Sequence, residues 1–568
     1  MILSLIFVAQ FSVNRCTHDA EMSNVSMVVQ KPKSYRQVQS VEWKKIRIKF
    51  DFNYVFRRRI DENMCILERQ VVKDNNKEYE CSRQHILNDA QIKAINGTFE
   101  NVKTYLDKLL SVIPYNDEIN YVDFGSAKFN SEKVSGADIA IVIVSRPRER
   151  DSGNVASAAA LSIEKVYNRP IFGVVFLNPE KVPTSVQSEN TTNSFFFYVL
   201  VHEIFHILGI SSGHYKNYHP HESTKPHSQI NCTLKKYGRD FNFLVTPYAH
   251  RFAVKRFGVE TFIGDIGSCP AGIEIENGGG PGTVGSHIEA RGYMTELMVG
   301  VTIQTEAGPF ARLTDAVLAF LLDTGNYKVN WRVAQPLVWG NPESIDGKPI
   351  KDFAIGPPQI VFPKYYMKNY SIKEFWYESF DFKFTGPPTY PGDNQFDDQQ
   401  KKFYDPNNIG HGDNEIYDYI PFYSPHYVCP KGQAILPSTL SGQVHKCGNY
   451  SCNGYDSFTI KVNKDWDATQ WESITCTKEN ATTVIEIPLT RPRHIPHERK
   501  ISCVDPERFC RSVNLNEMHF YNDPFDHYLI KMQEAKLLFL SISGVAMAVM
   551  VVILILSILI ACSIKKSK

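Results

Sequence analysis

The stretch "FFFYVLVHEIFHILGISSGHYKN", residues 195–217, decides how the rest of the chain is read. It is long and apolar, and it holds no Pro or Gly until Gly209, a natural C-terminal cap, so a helix is expected over about 194–208. Residues four apart on a helix share a face. His202 and His206 can therefore offer two imidazole nitrogens to one Zn²⁺, with Glu203 beside the position that a catalytic ion keeps for water. The bland alternative is a buried structural helix whose two histidines cap local hydrogen bonds. A chance match to this pattern is expected in only a few per cent of chains this size, roughly. In the compact form of the pattern a third ligand would follow Gly209 by three residues. Ser212 stands there.

Candidates for the third ligand lie on both sides of a long polar insertion. His214 is off register by two. His219, His221 and His227 sit in a polar, Pro-containing loop and read as solvated; His250 follows. His287 differs in context, because five Gly between 278 and 285 let the chain turn tightly and approach an ion closely. Met298 comes eleven residues later, in "TELM". A downstream Glu is the remaining alternative for the third position.

Around this helix the chain alternates short strands and helices. "KKIRIKFDF" (44–52) has the two-residue period of a half-buried strand. "ADIAIVIVS" (137–145) and "IFGVVFL" (171–177) read as buried strands. Ile92, Ile95, Phe99, Val102, Leu106 and Leu109 mark an amphipathic helix ending before Pro114, and 311–327 marks another. The strand at 171–177, just ahead of the histidine helix, is the expected site of β-addition by an extended peptide. After about 335 the texture becomes rich in Pro, Tyr, Asp and Asn, and six cysteines crowd between 429 and 510. A loop-rich, disulfide-stapled region is expected there.

"HEIFHILG", "GGGPGTVGSHIE" and "TELM" together resemble the leishmanolysin family of zinc metalloproteases, in the metzincin group. "VEWKKIRI", "ADIAIVIVS", "RPIFGVVFLN" and "LTDAVLAFLLDTGNY" extend the likeness over about residues 15 to 330. The resemblance implies an α+β fold: a zincin catalytic domain with a mixed twisted sheet and an active-site helix. It implies that His202, His206 and His287 bind one catalytic Zn²⁺, that Glu203 is general base and acid, and that Met298 forms a Met-turn beneath the metal. In that family an insertion splits the zinc motif; here 80 residues separate His206 from His287. "RCTHDAE" (15–21) resembles the family's propeptide motif, which implies that Cys16 holds the enzyme latent from the open zinc position. A structural disulfide is the other reading of Cys16. The chain departs from the family in having no Cys between Cys81 and Cys232.

The bulk numbers bound the setting. The chain has 568 residues, net charge +1 and 22% charged residues, with no basic or acidic bias to indicate a nucleic-acid partner. Twelve Cys and seven glycosylation sequons (Asn24, Asn96, Asn190, Asn231, Asn369, Asn449 and Asn480) indicate folding in an oxidising compartment. Setting aside Cys16 and Cys562 leaves ten cysteines, able to form five bridges; Cys65 with Cys81 and Cys232 with Cys269 are plausible by proximity. The first residues form an apolar signal-like run. The 26 residues from Leu537 to Cys562 carry no charge and are long enough to cross a bilayer. "KKSK" follows, which favours a single span with its ectodomain outside; Lys565 and Lys566 also resemble a retrieval signal to the endoplasmic reticulum.

These readings divide the chain into a signal peptide (1–14), a propeptide (15–40) and an N-terminal catalytic part (41–209). A central part with the third ligand (210–335), a Cys-rich region (336–536), a membrane span (537–562) and a tail (563–568) follow. The expected function is that of a type I membrane-anchored zinc endopeptidase, made latent and facing outward at the cell surface. Its partners are protein or peptide substrates, including extracellular or host-surface proteins, and the bilayer. The family resemblance adds a role in host-cell adhesion. The rival is a catalytically silent adhesion or receptor ectodomain on the same fold.

Overall fold

A computed structural model describes residues 13–22, 25–31, 42–74, 77–125, 127–130, 132–148, 153–367, 377–438, 446–465, 468–488 and 498–525. Residues 1–12 of the expected signal peptide, the segment 32–41, Asn24, Asn369, the 537–562 stretch with Cys562, and the 563–568 tail lie outside the described residues. No described helix is long and apolar enough to cross a membrane. The chain forms two compact units, Met1–Phe520 and Tyr521–Lys568.

At the centre of the first unit is a five-stranded mixed sheet in the order Val28–Gln30, Ala156–Glu164, Pro170–Leu177, Ile139–Ser145, Ile48–Asp51. Ile139–Ser145 and Pro170–Leu177 run parallel, in register from Ala140 opposite Phe172 to Ser145 opposite Leu177. Both are buried along their whole length, which is why they read as continuous apolar runs rather than alternating ones. Phe172, Val174 and Phe176 are at most 1% exposed; truncating either Phe to Ala would cost about 3–5 kcal/mol.

The strand Ala156–Glu164 pairs antiparallel with Pro170–Leu177. The expected substrate strand, 171–177, is therefore interior: Ala156–Glu164 holds one edge of it and Ile139–Ser145 the other. A strand with both edges paired has no backbone groups left for an added peptide, so β-addition at 171–177 is ruled out. The edge belongs to Ala156–Glu164, where Val28–Gln30 pairs in parallel with Ser162–Glu164 only.

Two long helices cover the sheet. Asp89–Leu109 starts at Asn88, whose side chain accepts from Gln91 N at 3.0 Å while Gln91 reaches back. It buries Phe99, Val102 and Leu106 and sets Tyr105 edge-on to Phe197, 5.4 Å away. Phe197 belongs to the helix Phe195–Ile207, which carries the paired histidines and is almost wholly buried. Gly209, at φ +118°, ends it, a conformation L side chains avoid.

The insertion after this helix is built around a disulfide. Strands Asn231–Lys236 and Arg239–Leu244 form a hairpin, Ile273–Ile275 adds a third strand, and Cys232 bonds Cys269. The third strand leads into the Gly-rich loop, which closes at its base. Gly285 N donates to Glu276 O at 3.0 Å, and Glu276 N to His287 O at 2.9 Å. Beyond residue 335 the described chain is rich in irregular segments and short elements, with two larger pieces of regular structure. It carries a four-stranded antiparallel sheet (433–477) and the helix Pro506–Glu517, with Phe458 and Phe509 stacked at 3.8 Å. The short Pro- and Tyr-rich segments between these elements mask their periodicity in the sequence. All ten expected cysteines pair, as 65–81, 232–269, 429–447, 452–510 and 476–503.

Candidate metal centre

The histidine helix places the imidazoles of His202 and His206 one turn apart on its buried face, and the Gly-rich loop brings His287 opposite them. His206 Nε2 lies 3.2 Å from His202 Nε2 and 3.2 Å from His287 Nε2. Each ring is aimed from behind. His202 Nδ1 donates to Leu297 O at 2.8 Å, His206 Nδ1 to Ile210 O at 2.7 Å, and His287 Nδ1 to Thr283 O at 2.8 Å. A carbonyl can only accept, so each of the three Nδ1 carries a proton and the three Nε2 atoms face one another. That arrangement is repulsive unless a cation sits among them. Burial pushes His202 down to about 3 and His206 well below its usual value, which keeps both in the neutral form a metal needs.

Cys16 completes the cluster. Its Sγ is 3.6 Å from His206 Nε2 and 3.7 Å from Glu203 Oε1, and the four ligating atoms of Cys16, His202, His206 and His287 lie within 4.8 Å of one another. Cys16 is buried and makes no disulfide. Burial, and then the charge of Glu203, pushes its thiol well up. Burial, and then the charge of Glu21, does the same to the Glu203 carboxyl. Glu203 Oε2 is buried with no hydrogen-bond partner among the described residues.

The segment that carries Cys16 is held on both sides. Val13–Arg15 pairs antiparallel with Val301–Ile303, so the pairing begins two residues ahead of the expected signal cleavage before Arg15. Cys16 N donates to Gly300 O and Asp19 N to Gly282 O, each at 3.2 Å. A Cβ at Gly282 would meet Cys16 O at 3.0 Å and Thr17 Cα at 3.1 Å, so any side chain there would press the segment outward by a few tenths of an ångström. His18 is fully buried; its Nδ1 donates to Ala158 O at 2.7 Å, a carbonyl of the edge strand, and its Nε2 lies 3.0 Å from Ser211 Oγ. Asp19 accepts from the hydroxyls of Ser286 and Ser212 and lies 3.6 Å from His287 Nδ1.

The other sequence candidates fall elsewhere. Ser212, where the compact pattern wants a ligand, donates its N–H to Ser286 Oγ at 2.8 Å and so docks the loop that delivers His287. His214 and His219 are buried and His221 and His227 half-buried, against the solvated reading of the 219–227 loop. Their Nε2 atoms donate to the carbonyls of Asn168, Tyr167, Tyr327 and Asp323 at 2.7–3.0 Å, and His214 and His219 are at most 2% exposed. They pin the insertion to the catalytic core. Sequence alone does not show those distant acceptors. His250 Nδ1 donates to Ala271 O at 2.7 Å. The downstream glutamates are engaged: Glu289 pairs with Arg239 at 2.9 Å and Glu296 accepts from Leu297 N at 2.7 Å and from Thr314. Met298 is fully buried, its carbonyl accepting from Ile288 N at 2.9 Å, one residue past His287.

The sequence model of the leishmanolysin family matches residues 8–348, well over half of the chain. The chain belongs to the leishmanolysin family. Among its relatives is a leishmanolysin-like peptidase of Caenorhabditis elegans, 30% identical over 248 residues, which are 38% of this chain and 35% of that protein. Another is the leishmanolysin-like peptidase of Drosophila melanogaster, 29% identical over 234 residues, 37% and 33% of the two chains. A ciliated left-right organizer metallopeptidase of Xenopus laevis is 25% identical over 177 residues, 30% and 22%. The chain spans about a third of the length of the first two.

Membership in the leishmanolysin family implies a metal, and the residues present fit one. Tetrahedral zinc with Zn–N of 2.0–2.1 Å separates its nitrogens by roughly 3.3–3.4 Å, and with Zn–S of 2.3 Å it separates sulfur from nitrogen by roughly 3.5–3.6 Å. The 3.2 Å and 3.6 Å separations at His206 match both.

Proposed function

We propose that this leishmanolysin-family protein is a zinc-dependent endopeptidase, made latent by Cys16. The observation that carries the reading is the convergence of three imidazole Nε2 atoms on one point, with the Glu203 carboxyl alongside. His202, His206 and His287 would hold the ion, and Cys16 Sγ would take the fourth position until its segment is removed. A bound zinc supplies a water of lowered pKa and polarises the scissile carbonyl. Glu203 takes the proton of the attacking water and returns it to the leaving amine, a role its buried and unpaired Oε2 leaves open.

Substrate would add to the edge strand at Ala156–Ala160, the part that Val28–Gln30 leaves unpaired. The side chain of His18 occupies one of those edge carbonyls, Ala158 O, in the latent form. Residence at a membrane, with the catalytic body outside, is supported by the uncharged run 537–562 and the lysines after it. A part in host-cell contact is supported by the family resemblance alone.

The test is cleavage of an unfolded protein by the purified, processed chain, with and without a chelator, against Glu203→Ala. Chelator-sensitive cleavage that the variant lacks is expected. A processed wild-type chain that binds zinc and cleaves nothing would leave the silent adhesion reading.

A further inference from the structure

Beyond Cys16, the latent segment makes a second polar insertion into the catalytic body. The Glu21 carboxylate enters a niche at the rim of the metal centre. Its Oε1 accepts from Arg148 Nη2 at 2.6 Å, from Ser157 Oγ at 2.7 Å and from Thr17 Oγ1 at 3.5 Å. Arg148 Nη2 also donates to Ser157 Oγ at 2.7 Å, so guanidinium, hydroxyl and carboxylate close a triangle. The side chains of Arg148 and Glu21 are 11% and 8% exposed, and Ser157 is fully buried. In so little water a charge-assisted pair is both strong and selective for a carboxylate.

The two halves of this niche have different fates. Arg148 stands just past the strand Ile139–Ser145, and Ser157 lies on the edge strand beside Ala158. Both belong to the body that remains after activation. Glu21 belongs to the segment that would leave. The segment behaves at each of its contacts as an occupant of the substrate path: Cys16 at the metal, His18 on an edge carbonyl, Glu21 on Arg148. Arg148 also borders a cleft of about 1230 Å³ whose charged lining is mixed, with Arg83 and Lys181 beside Glu68, Glu80 and Glu180, so the carboxylate selectivity rests on Arg148 and Ser157 and not on the cleft.

We propose that Arg148 and Ser157 form a carboxylate-binding subsite, filled by Glu21 in the latent chain and by an Asp or Glu side chain of the substrate in the active one. The proposal rests on the peptidase reading above and adds to it a substrate class, polypeptides acidic at one position near the cut.

Two experiments test it. In the full chain, the rate at which a maleimide alkylates Cys16, read by mass spectrometry of its peptide, reports how firmly the segment is seated. Glu21→Ala is expected to raise that rate about tenfold. Millimolar propionate is expected to slow it again at constant ionic strength, but not in the Glu21→Ala, Arg148→Gln double variant. Absence of propionate protection in Glu21→Ala would overturn the subsite. In the activated chain, peptide pairs with Glu or Gln at each position are compared by their kcat/KM ratio. Wild type is expected to favour Glu about tenfold at one position, Arg148→Gln to bring that ratio to one, and Arg148→Glu to prefer Lys there. A ratio indifferent to Arg148 overturns the proposal. If no peptide is cleaved at all, the peptidase reading fails, and propionate protection alone decides the subsite.

Discussion

The imidazole of His18 lies flat against that of His206, ring centroids 3.8 Å apart and planes 2° from parallel. The latent segment thus grips the metal centre twice, once through the Cys16 thiol and once by covering the outer face of a ligand ring. Its two polar contacts fix His18 in that place, one to the edge strand and one to Ser211. If the segment keeps the chain latent, as proposed, it does so through a folded surface and not through a sulfur atom alone.

His18→Ala is expected to loosen the latent state while leaving Cys16 in place. It removes two hydrogen bonds and strands the buried Ala158 carbonyl, a loss of about 1–3 kcal/mol. Alkylation of Cys16 in the full chain should accelerate roughly five- to hundredfold, since 1.4 kcal/mol is about a factor of ten. An unchanged rate would show that the thiol alone holds the segment.

Glu203→Gln is expected to keep the metal and lose turnover by about 10²–10⁴-fold. His287→Ala is expected to lose both. Metal content of the purified variants, measured beside peptide cleavage, separates the two cases. Full zinc occupancy in His287→Ala would point to a carboxylate as the third ligand, against the engagement of Glu289 and Glu296 elsewhere.

Acid should weaken the anchoring of the insertion through His214. Burial lowers its pKa from 6.5 to about 4, while its Nε2 donates to Asn168 O. Between those values the unfolded chain binds the proton and the folded chain does not. Its contribution is therefore whole above pH 6.5, falls as pH drops through that window, and is gone below about 4. A shift of this size corresponds to about 3 kcal/mol. Melting temperatures of wild type and His214→Gln, compared from pH 7 to 4.5, should differ in slope, with the variant flatter. Parallel curves would rule the histidine out.

Asp418→Ala is expected to cost about 3–5 kcal/mol, because it leaves two buried guanidiniums short of a carboxylate. Asp418 accepts from Arg291 Nε at 2.8 Å and from Arg239, and Arg239 in turn pairs with Glu289, two residues past His287. Thermal unfolding should show the loss, and zinc affinity should fall with it. A melting temperature within a degree or so of wild type would show that the network is dispensable.

Much of the site is readable because it rests on local rules. The histidine helix announces itself by an apolar run ending at Gly209, and the two central strands by unbroken burial. His287 stands apart from His250 and His227 by the five glycines before it, and the family likeness turns that context into a ligand assignment. What escapes depends on contacts far along the chain. "ASAAALSIE" is poor in the β-branched and aromatic residues that mark a strand, yet it forms one, and its small side chains lie where the histidine helix packs. Sheet order is likewise absent from the sequence. The run 171–177 precedes the helix and is the expected site of β-addition, yet strands pair along both of its edges; Ala156–Glu164 is equally buried, so burial does not tell the two apart.

Gly282 has a meaning that the working enzyme would never reveal. Its missing side chain makes room for the backbone of Cys16 and Thr17, which the proposed activation would remove. Alanine there should leave a mature protease unharmed and spoil its restraint. The damage would fall earlier, in the precursor, as self-cleavage visible as fragments during expression. A residue with no side chain would then be a safety device for the cell that makes the protein.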